Sequence, residues 1–339
     1  MICLYDTTFS FWNTNWMAIF PKKFRSQKER TRVASLQTLL SQIGLTLGML
    51  IPPIFIRYNV RITYVYAAMF VSITCIFAIL IMIPGMREKD VLRAVPEPVQ
   101  EFKIDKTYFQ TVKFALKQKN VRAYLTAYLG QTVMMTVMLA SIPYLTEFIY
   151  GDEDLEIFIS GAVLIGGLIS VPLWIYVGRK LGNRIGYMFG TGLTSLMLFI
   201  FFFLSNSPYA VMVCALLVGF TMGATWSLMY PTFSDVIDEL VVKLGKRSEG
   251  IFYGFRTFIG RFSIVIQAVT FGLIHYFTNF NPDYIVTPQP ASALLGIRIH
   301  SAIIPAVFYL LGFLAMWLVY DLTPDKTKEI KMKLEELNL

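Results

Sequence analysis

The chain has 339 residues, of which 55% are hydrophobic and 15% charged, and a mean hydropathy of +0.57. A soluble domain is closer to half apolar and a quarter charged, so this composition excludes a water-soluble globule and points to lipid as the solvent. The net charge of +8 would suggest a nucleic-acid partner in a soluble protein, but the positions of the basic residues exclude that too.

Nine apolar runs follow one another, at 2–20, 33–56, 62–85, 123–149, 157–178, 185–204, 208–230, 251–277 and 300–321. Each is near the roughly 20 residues that cross a hydrocarbon layer about 30 Å thick. Backbone polar groups in lipid must pair within their own segment, so the runs are expected as helices. The alternating pattern of a membrane barrel does not occur in them. The expected fold class is an all-α membrane bundle of about nine spans.

The first run is the most polar, with Asp6, Thr7, Thr8, Ser10, Asn13, Thr14 and Asn15. Such a span inserts poorly alone and reads as an interior helix whose predecessors lie elsewhere. Asp6, Ser10 and Asn13 share one helical face, and Trp12 and Trp16 another. Polar groups beside aromatic rings suit a sugar, which offers hydroxyls and C–H faces; the alternative is that the indoles only pack. A basic loop with Glu29 and Arg30 follows.

After the third run, a polar stretch at 86–122, marked by Pro84, Pro96 and Pro98, reads as a linker. Within it, 105–119 can form an amphipathic surface helix carrying Phe109, Val112, Phe114 and Leu116. The chain therefore divides into three spans (1–85), the linker (86–122), a six-span half (123–322) and a tail (323–339). Tyr144 and Glu147 stand near the end of the fourth run, before the acidic Gly151-Asp-Glu-Asp154.

The basic turn Gly178-Arg-Lys-Leu-Gly-Asn-Arg184 is not a phosphate loop, because it lacks the preceding strand and the Lys-Ser/Thr ending. Gly219-x3-Gly223 and Gly250-x3-Gly254 are expected to allow close helix packing. Asp235, Asp238 and Glu239 follow Pro231, with Lys246 and Arg247 nearby. They read either as an ion-pair gate or as a solvated helix end.

Charge inside a span costs several kcal/mol and marks function. Arg261 lies about 16 Å into its span, too deep to reach water, and should meet a carboxylate, a solute or a water-filled cavity. Arg256, about 9 Å in, is expected to snorkel to the interface. Two histidines, His275 and His300, and three cysteines, Cys3, Cys75 and Cys214, have no metal-ligand spacing. The cysteines read as packing residues. No catalytic or metal set is expected.

With 21–32 placed in the cytoplasm and sides alternating from there, the cytoplasmic segments hold 25 of the 30 Lys and Arg residues. This sidedness is the positive-inside rule. It predicts a multi-pass protein of the cell membrane with its amino end outside and its carboxyl end in the cytoplasm.

Trp16-Met-Ala-Ile-Phe-Pro21 recurs as Trp226-Ser-Leu-Met-Tyr-Pro231, each followed by a basic loop. Parallel repeats of this kind relate the two halves of major-facilitator carriers. Three stretches then resemble the glycoside–pentoside–hexuronide:cation symporters, the melibiose permease group. The first runs from Tyr5-Asp6-Thr7 through Asn15-Trp16-x-Ala18-x-Phe20-Pro21 to Glu29-Arg30-Thr31-Arg32. The second is Ser234-Asp235-Val236-Ile237-Asp238-Glu239, followed by Gly245-Lys246-Arg247-x-Glu249-Gly250-x-x-Tyr253-Gly254-x-x-Thr257-Phe258-Ile259. The third is Pro172-x-Trp174 leading to Gly182.

The resemblance implies a major-facilitator-type bundle equivalent to helices four to twelve of a twelve-helix carrier. It also implies symport of a sugar-like solute with Na+ or H+, and a functional positive charge at Arg261. The family's cation carboxylates lie in a helix outside this stretch, so the ion site is expected outside the chain, and a separate chain carrying the first three helices is a candidate partner. Asn13 stands where melibiose permeases keep a sugar-binding aspartate, and Gln37 where an arginine is common. Asp6, Asn13, Trp16, Tyr144, Trp226 and Arg261 form the candidate solute set. Glu29, Arg30, Asp235, Asp238, Arg247 and Glu249 form the candidate gate. The alternatives are a lysolipid carrier and a non-transporting truncated membrane protein.

Overall fold

A computed structural model describes residues 61–85, 106–245, 249–281 and 288–336, together with a few positions before 61. The side chains of Gly85, Lys106, Thr107 and Glu249 are not described. The expected spans 2–20 and 33–56 lie almost wholly outside the described residues. The chain forms two compact units, 1–103 and 104–339.

In the first unit, helix α1 (Arg61–Gly85) is long and apolar enough to cross a membrane. Nearly all its side chains are exposed, and Cys75, expected to pack, is among the exposed ones.

The second unit opens with the amphipathic α2 (Lys106–Lys117), then α3 (Lys119–Tyr144), which continues as a π-helical turn, Leu145–Tyr150. Next come α4 (Leu155–Leu181), α5 (Asn183–Leu204), α6 (Pro208–Leu244) and α7 (Glu249–Phe277). The last span consists of α8 (Ala291–Arg298), a second π turn (Ile299–Ile303) and α9 (Ile304–Leu318). The helix α10 (Pro324–Glu336) follows. Seven helices among the described residues have the length and composition of spans, one in the first unit and six in the second. The chain is a nearly all-helical multi-pass membrane protein.

Several boundaries differ from expectation. The helix α6 does not stop near residue 230 but runs through Pro231 to Leu244, about 55 Å at roughly 1.5 Å per residue. Gly245, at φ 66°, ends it in a left-handed conformation that suits glycine. The last span begins at Ala291 rather than near 300, and the tail folds into α10. Both π turns sit next to prolines, Pro143 and Pro305. Each proline lacks a backbone donor.

Packing follows the small residues. A Cβ at Gly219 would collide with the Val163 carbonyl, and one at Gly223 with the Ser170 hydroxyl, so α4 and α6 meet backbone to backbone. Trp174 Nε1 donates to the Phe220 carbonyl at 2.8 Å across the same contact. Gly250 and Gly254 behave otherwise, with nothing within 4 Å of an added Cβ among the described residues, so that pair does not pack as expected. The buried core falls into one cluster around Tyr124, Tyr187 and Phe233 and another around Met134, Phe201 and Tyr309.

Candidate functional site

The helix α7 shows how a charge comes to sit in the core. Its buried positions are Phe252, Arg256, Gly260 and Ser263, a single stripe at helical spacing. That stripe faces α3, where the Tyr128 ring lies against Gly260. The stripe therefore carries Arg256 inward, and the arginine is only 5% exposed. The expectation that it snorkels to the interface is wrong, because depth along a helix does not determine which face is covered.

Aromatic rings surround the Arg256 guanidinium. Its central carbon lies 4.2 Å from the Tyr128 ring centre, 5.0 Å from Tyr230 and 5.3 Å from Phe233. One Nη donates to the Met229 sulfur at 2.9 Å, while the buried Nε has no partner among the described residues. Cation–π contacts on the order of 0.5–2 kcal/mol each offset part of the desolvation cost. No carboxylate among the described residues pairs with Arg256. Tyr230, 55% exposed, forms the open rim of the cage. An uncommitted N–H beside an accessible ring is what an anionic or hydroxylated solute needs for recognition.

Arg261 is half-buried on the same helix, within electrostatic reach of Tyr128. Arg256, Arg261 and Tyr128 thus gather two positive charges and an aromatic surface at the α3–α7 contact. On either side of Tyr128 along α3, the Tyr187 hydroxyl donates to Gln131 Oε1 at 2.8 Å, and the Tyr124 ring lies 4.7 Å from Phe233.

The other candidates lie in different surroundings. Trp226 is half-buried, with its ring over Gly167 of α4. Tyr144 closes α3 inside a ring cluster with Phe148, Phe271, Phe280, His275 and His300. Asp6, Asn13, Trp16, Glu29, Arg30 and Arg247 lie outside the described residues, as does the side chain of Glu249.

Of the gating candidates, Asp235 accepts from Asn183 Nδ2 at 2.8 Å, and Asp238 is half-buried. The neighbouring network is tied together by Asn120, which is 1% exposed. Its Nδ2 donates to Glu239 Oε2 at 2.9 Å, and its Oδ1 accepts the Asp321 backbone N–H at 2.9 Å. Lys243 Nζ bonds Glu239 at 2.6 Å and Gln118 Oε1 at 2.9 Å. Asp321 pairs with Lys119 at 2.6 Å and Lys326 at 2.8 Å. Partial burial pushes the Asp321 carboxyl up, but the hydrogen bonds from those lysines outweigh it and hold the group well below the usual carboxylate range.

Sequence reasoning placed Arg256 at the interface and missed Tyr128, Tyr230 and Phe233. The available signal was the stripe Phe252-Arg256-Gly260, which reads as a buried face once Gly260 is recognised as a contact.

A family model described as MFS/sugar transport protein matches residues 1–324. The glucuronide carrier protein homolog of Escherichia coli (strain K12) is 25% identical over 198 residues, covering 58% of this chain and 42% of that protein. The sodium-dependent lysophosphatidylcholine symporter 1 of Xenopus tropicalis is 21% identical over 284 residues, covering 82% and 52%. The lactose permease of Leuconostoc lactis is 21% identical over 348 residues, covering 99% and 53%. The chain spans about half the length of these relatives.

Proposed function

Because the chain belongs to the MFS/sugar transport protein family, a family of carriers and not of enzymes, we propose that it moves a small sugar-like solute across the cell membrane by alternating access. A cation, Na+ or H+, travels with the solute. The amino end lies outside and the carboxyl end in the cytoplasm, a reading supported by the basic residues of the loops.

The observation that carries this reading is the cationic pair of α7 at the α3 contact. Arg256 sits among Tyr128, Tyr230 and Phe233 with its buried Nε–H uncommitted among the described residues, and Arg261 lies half-buried five residues on along the same helix. Charge, a donor and aromatic surface together are what a glycoside, above all an acidic one, can use. Asp6, Asn13, Trp16, Tyr144 and Trp226 complete the proposed solute set. Glu29, Arg30, Asp235, Asp238, Arg247 and Glu249 form the proposed gate.

A second reading, a carrier of lysolipids, is favoured by one feature of α7. Phe258, Phe262, Val265, Val269 and Leu273 form a long exposed apolar face beside Arg261. A cationic group next to such a face suits a charged head with an alkyl chain. The lysophosphatidylcholine symporter among the relatives agrees with it.

Counterflow in proteoliposomes separates the two. Vesicles holding the full chain are loaded with methyl-β-D-glucuronide, lactose or lysophosphatidylcholine, with and without Na+. Exchange of a sugar supports the first reading, and exchange of lysophosphatidylcholine alone supports the second. Arg261→Gln should abolish exchange while the protein still elutes as a folded monomer; undiminished exchange by that variant would sink the assignment of Arg261.

A further inference from the structure

The outer end of the second unit holds a second group of polar atoms that the solute reading does not use. His300, in the π turn Ile299–Ile303, has no exposed surface. His275 lies near the end of α7, and the two imidazole centres are 5.5 Å apart. Three rings enclose them. Phe271 is 4.3 Å from His300, Phe280 is 4.3 Å from His275, and Tyr144 is within 5.7 Å of both. The Nε2 atom of each histidine is buried and has no hydrogen-bond partner among the described residues.

The tautomer of His300 follows from its neighbour. Ser141 Oγ donates its one proton to the Val137 carbonyl at 2.6 Å. It can therefore only accept from His300 Nδ1, which lies 2.7 Å away. With Nδ1 carrying the hydrogen, Nε2 is a bare lone pair. A second N–H there would need an acceptor, and leaving a buried donor unpaired costs about 1–3 kcal/mol. The His275 imidazole, 5.5 Å away from centre to centre, carries an unpartnered nitrogen that can serve as that acceptor.

We propose that His275 and His300 form a site for a single proton shared between their imidazoles, so that this chain carries an ion-binding site of its own. Size and donor number select the proton. The two nitrogens are buried among aromatic rings, and among the described residues no group of three His, Cys, Asp or Glu side chains could hold a metal ion. The aromatic faces stabilise the added charge by cation–π contact. The other ionisable groups nearest this end of the surrounding elements are Tyr144, Glu147 and Tyr150 on α3 and its π turn, Tyr276 beside His275 on α7, and Arg298 on α8, with the buried Tyr309 further along α9. Those of α5, Arg184 and Tyr187, stand at its opposite end. Sharing the proton draws the end of α7 toward α3 and the π turn of the last span. On the transport reading above, this is the ion that travels with the solute.

The chain has only two histidines, so imidazole nitrogen NMR of the labelled full chain in lipid nanodiscs reads the site directly. His300→Asn keeps an N–H toward Ser141 and removes Nε2; His275→Asn removes the partner. The expected result is uptake of one proton, with both rings shifting together. Either substitution should move the midpoint of the remaining histidine by about tenfold in proton concentration. Independent titrations, with midpoints unmoved by loss of the partner, overturn the proposal. In proteoliposomes, His300→Asn should keep methyl-β-D-glucuronide counterflow and lose accumulation driven by a pH gradient; retained accumulation overturns the coupling. If the wild type exchanges no solute, the transport reading fails while the NMR result stands on its own.

Discussion

Arg256 and Tyr128 face each other at 4.2 Å from guanidinium carbon to ring centre, with the arginine 5% exposed and unpaired with any carboxylate among the described residues. A buried cation held only by rings and a thioether is costly. Replacing it with an apolar chain of similar length should therefore help folding and harm function. Arg256→Met should raise the thermal midpoint of the purified chain in detergent and reduce solute exchange at least tenfold, the usual pattern of a strained site. A fall in thermal midpoint would reassign Arg256 to structure. Arg256→Lys keeps the charge without the planar stacking group and should fold normally with weakened exchange.

The Asn120 amide joins three elements through Glu239 and the Asp321 N–H. Asn120→Leu leaves a buried donor and acceptor unpaired, and should cost roughly 1–3 kcal/mol. Denaturant unfolding followed by tryptophan fluorescence measures the loss.

The two glycine pairs should respond oppositely to substitution. Gly219→Val forces α6 away from the Val163 carbonyl and should destabilise by about 1–3 kcal/mol or prevent folding. Gly254→Ala meets nothing within 4 Å among the described residues and adds helix propensity, so it should stabilise by up to about 1 kcal/mol. Thermal unfolding of the two variants side by side makes the comparison.

The Asp321 cluster gives a dependence on pH. The folded carboxyl titrates below its unfolded value, near 3.9. Its contribution is therefore present above that value and lost as the pH falls through the folded one. Asp321 is partly exposed, so the effect should stay below about 1 kcal/mol. Asp321→Asn should be slightly less stable than wild type at pH 7, with the gap closing below about pH 4. A gap that widens on acidification contradicts the pairing with Lys119 and Lys326.

The spans of the second unit were legible because long apolar runs carry a strong signal. The stop at Leu204 falls where composition ends it, and α4 runs three residues past 178 before the turn at Gly182. The half of α6 beyond Pro231 was hidden because its charged residues Asp235, Asp238 and Glu239 look like a loop, yet each finds a polar neighbour or solvent along one helix. The first turns of the last span were hidden by Ser292 and Arg298, and the tail helix by its high charge. The site was half legible. Arg261 announces itself by depth, but the burial of Arg256 depends on Tyr128 and Phe233, which lie more than twenty residues away in sequence. The histidine pair was noted only as lacking metal spacing, since 25 residues separate its members and a Ser141 contact fixes the tautomer.

The glycine seam between α4 and α6 also has a mechanical side. Where backbones touch, there is no layer of side chains to slip, so those helices must travel as a solid piece. The helix α7 meets α3 through side chains along one buried stripe with a cation in the middle. Within this unit the side-chain contact of α7 with α3 is easier to shift than the glycine seam, and the two arginines ride on it.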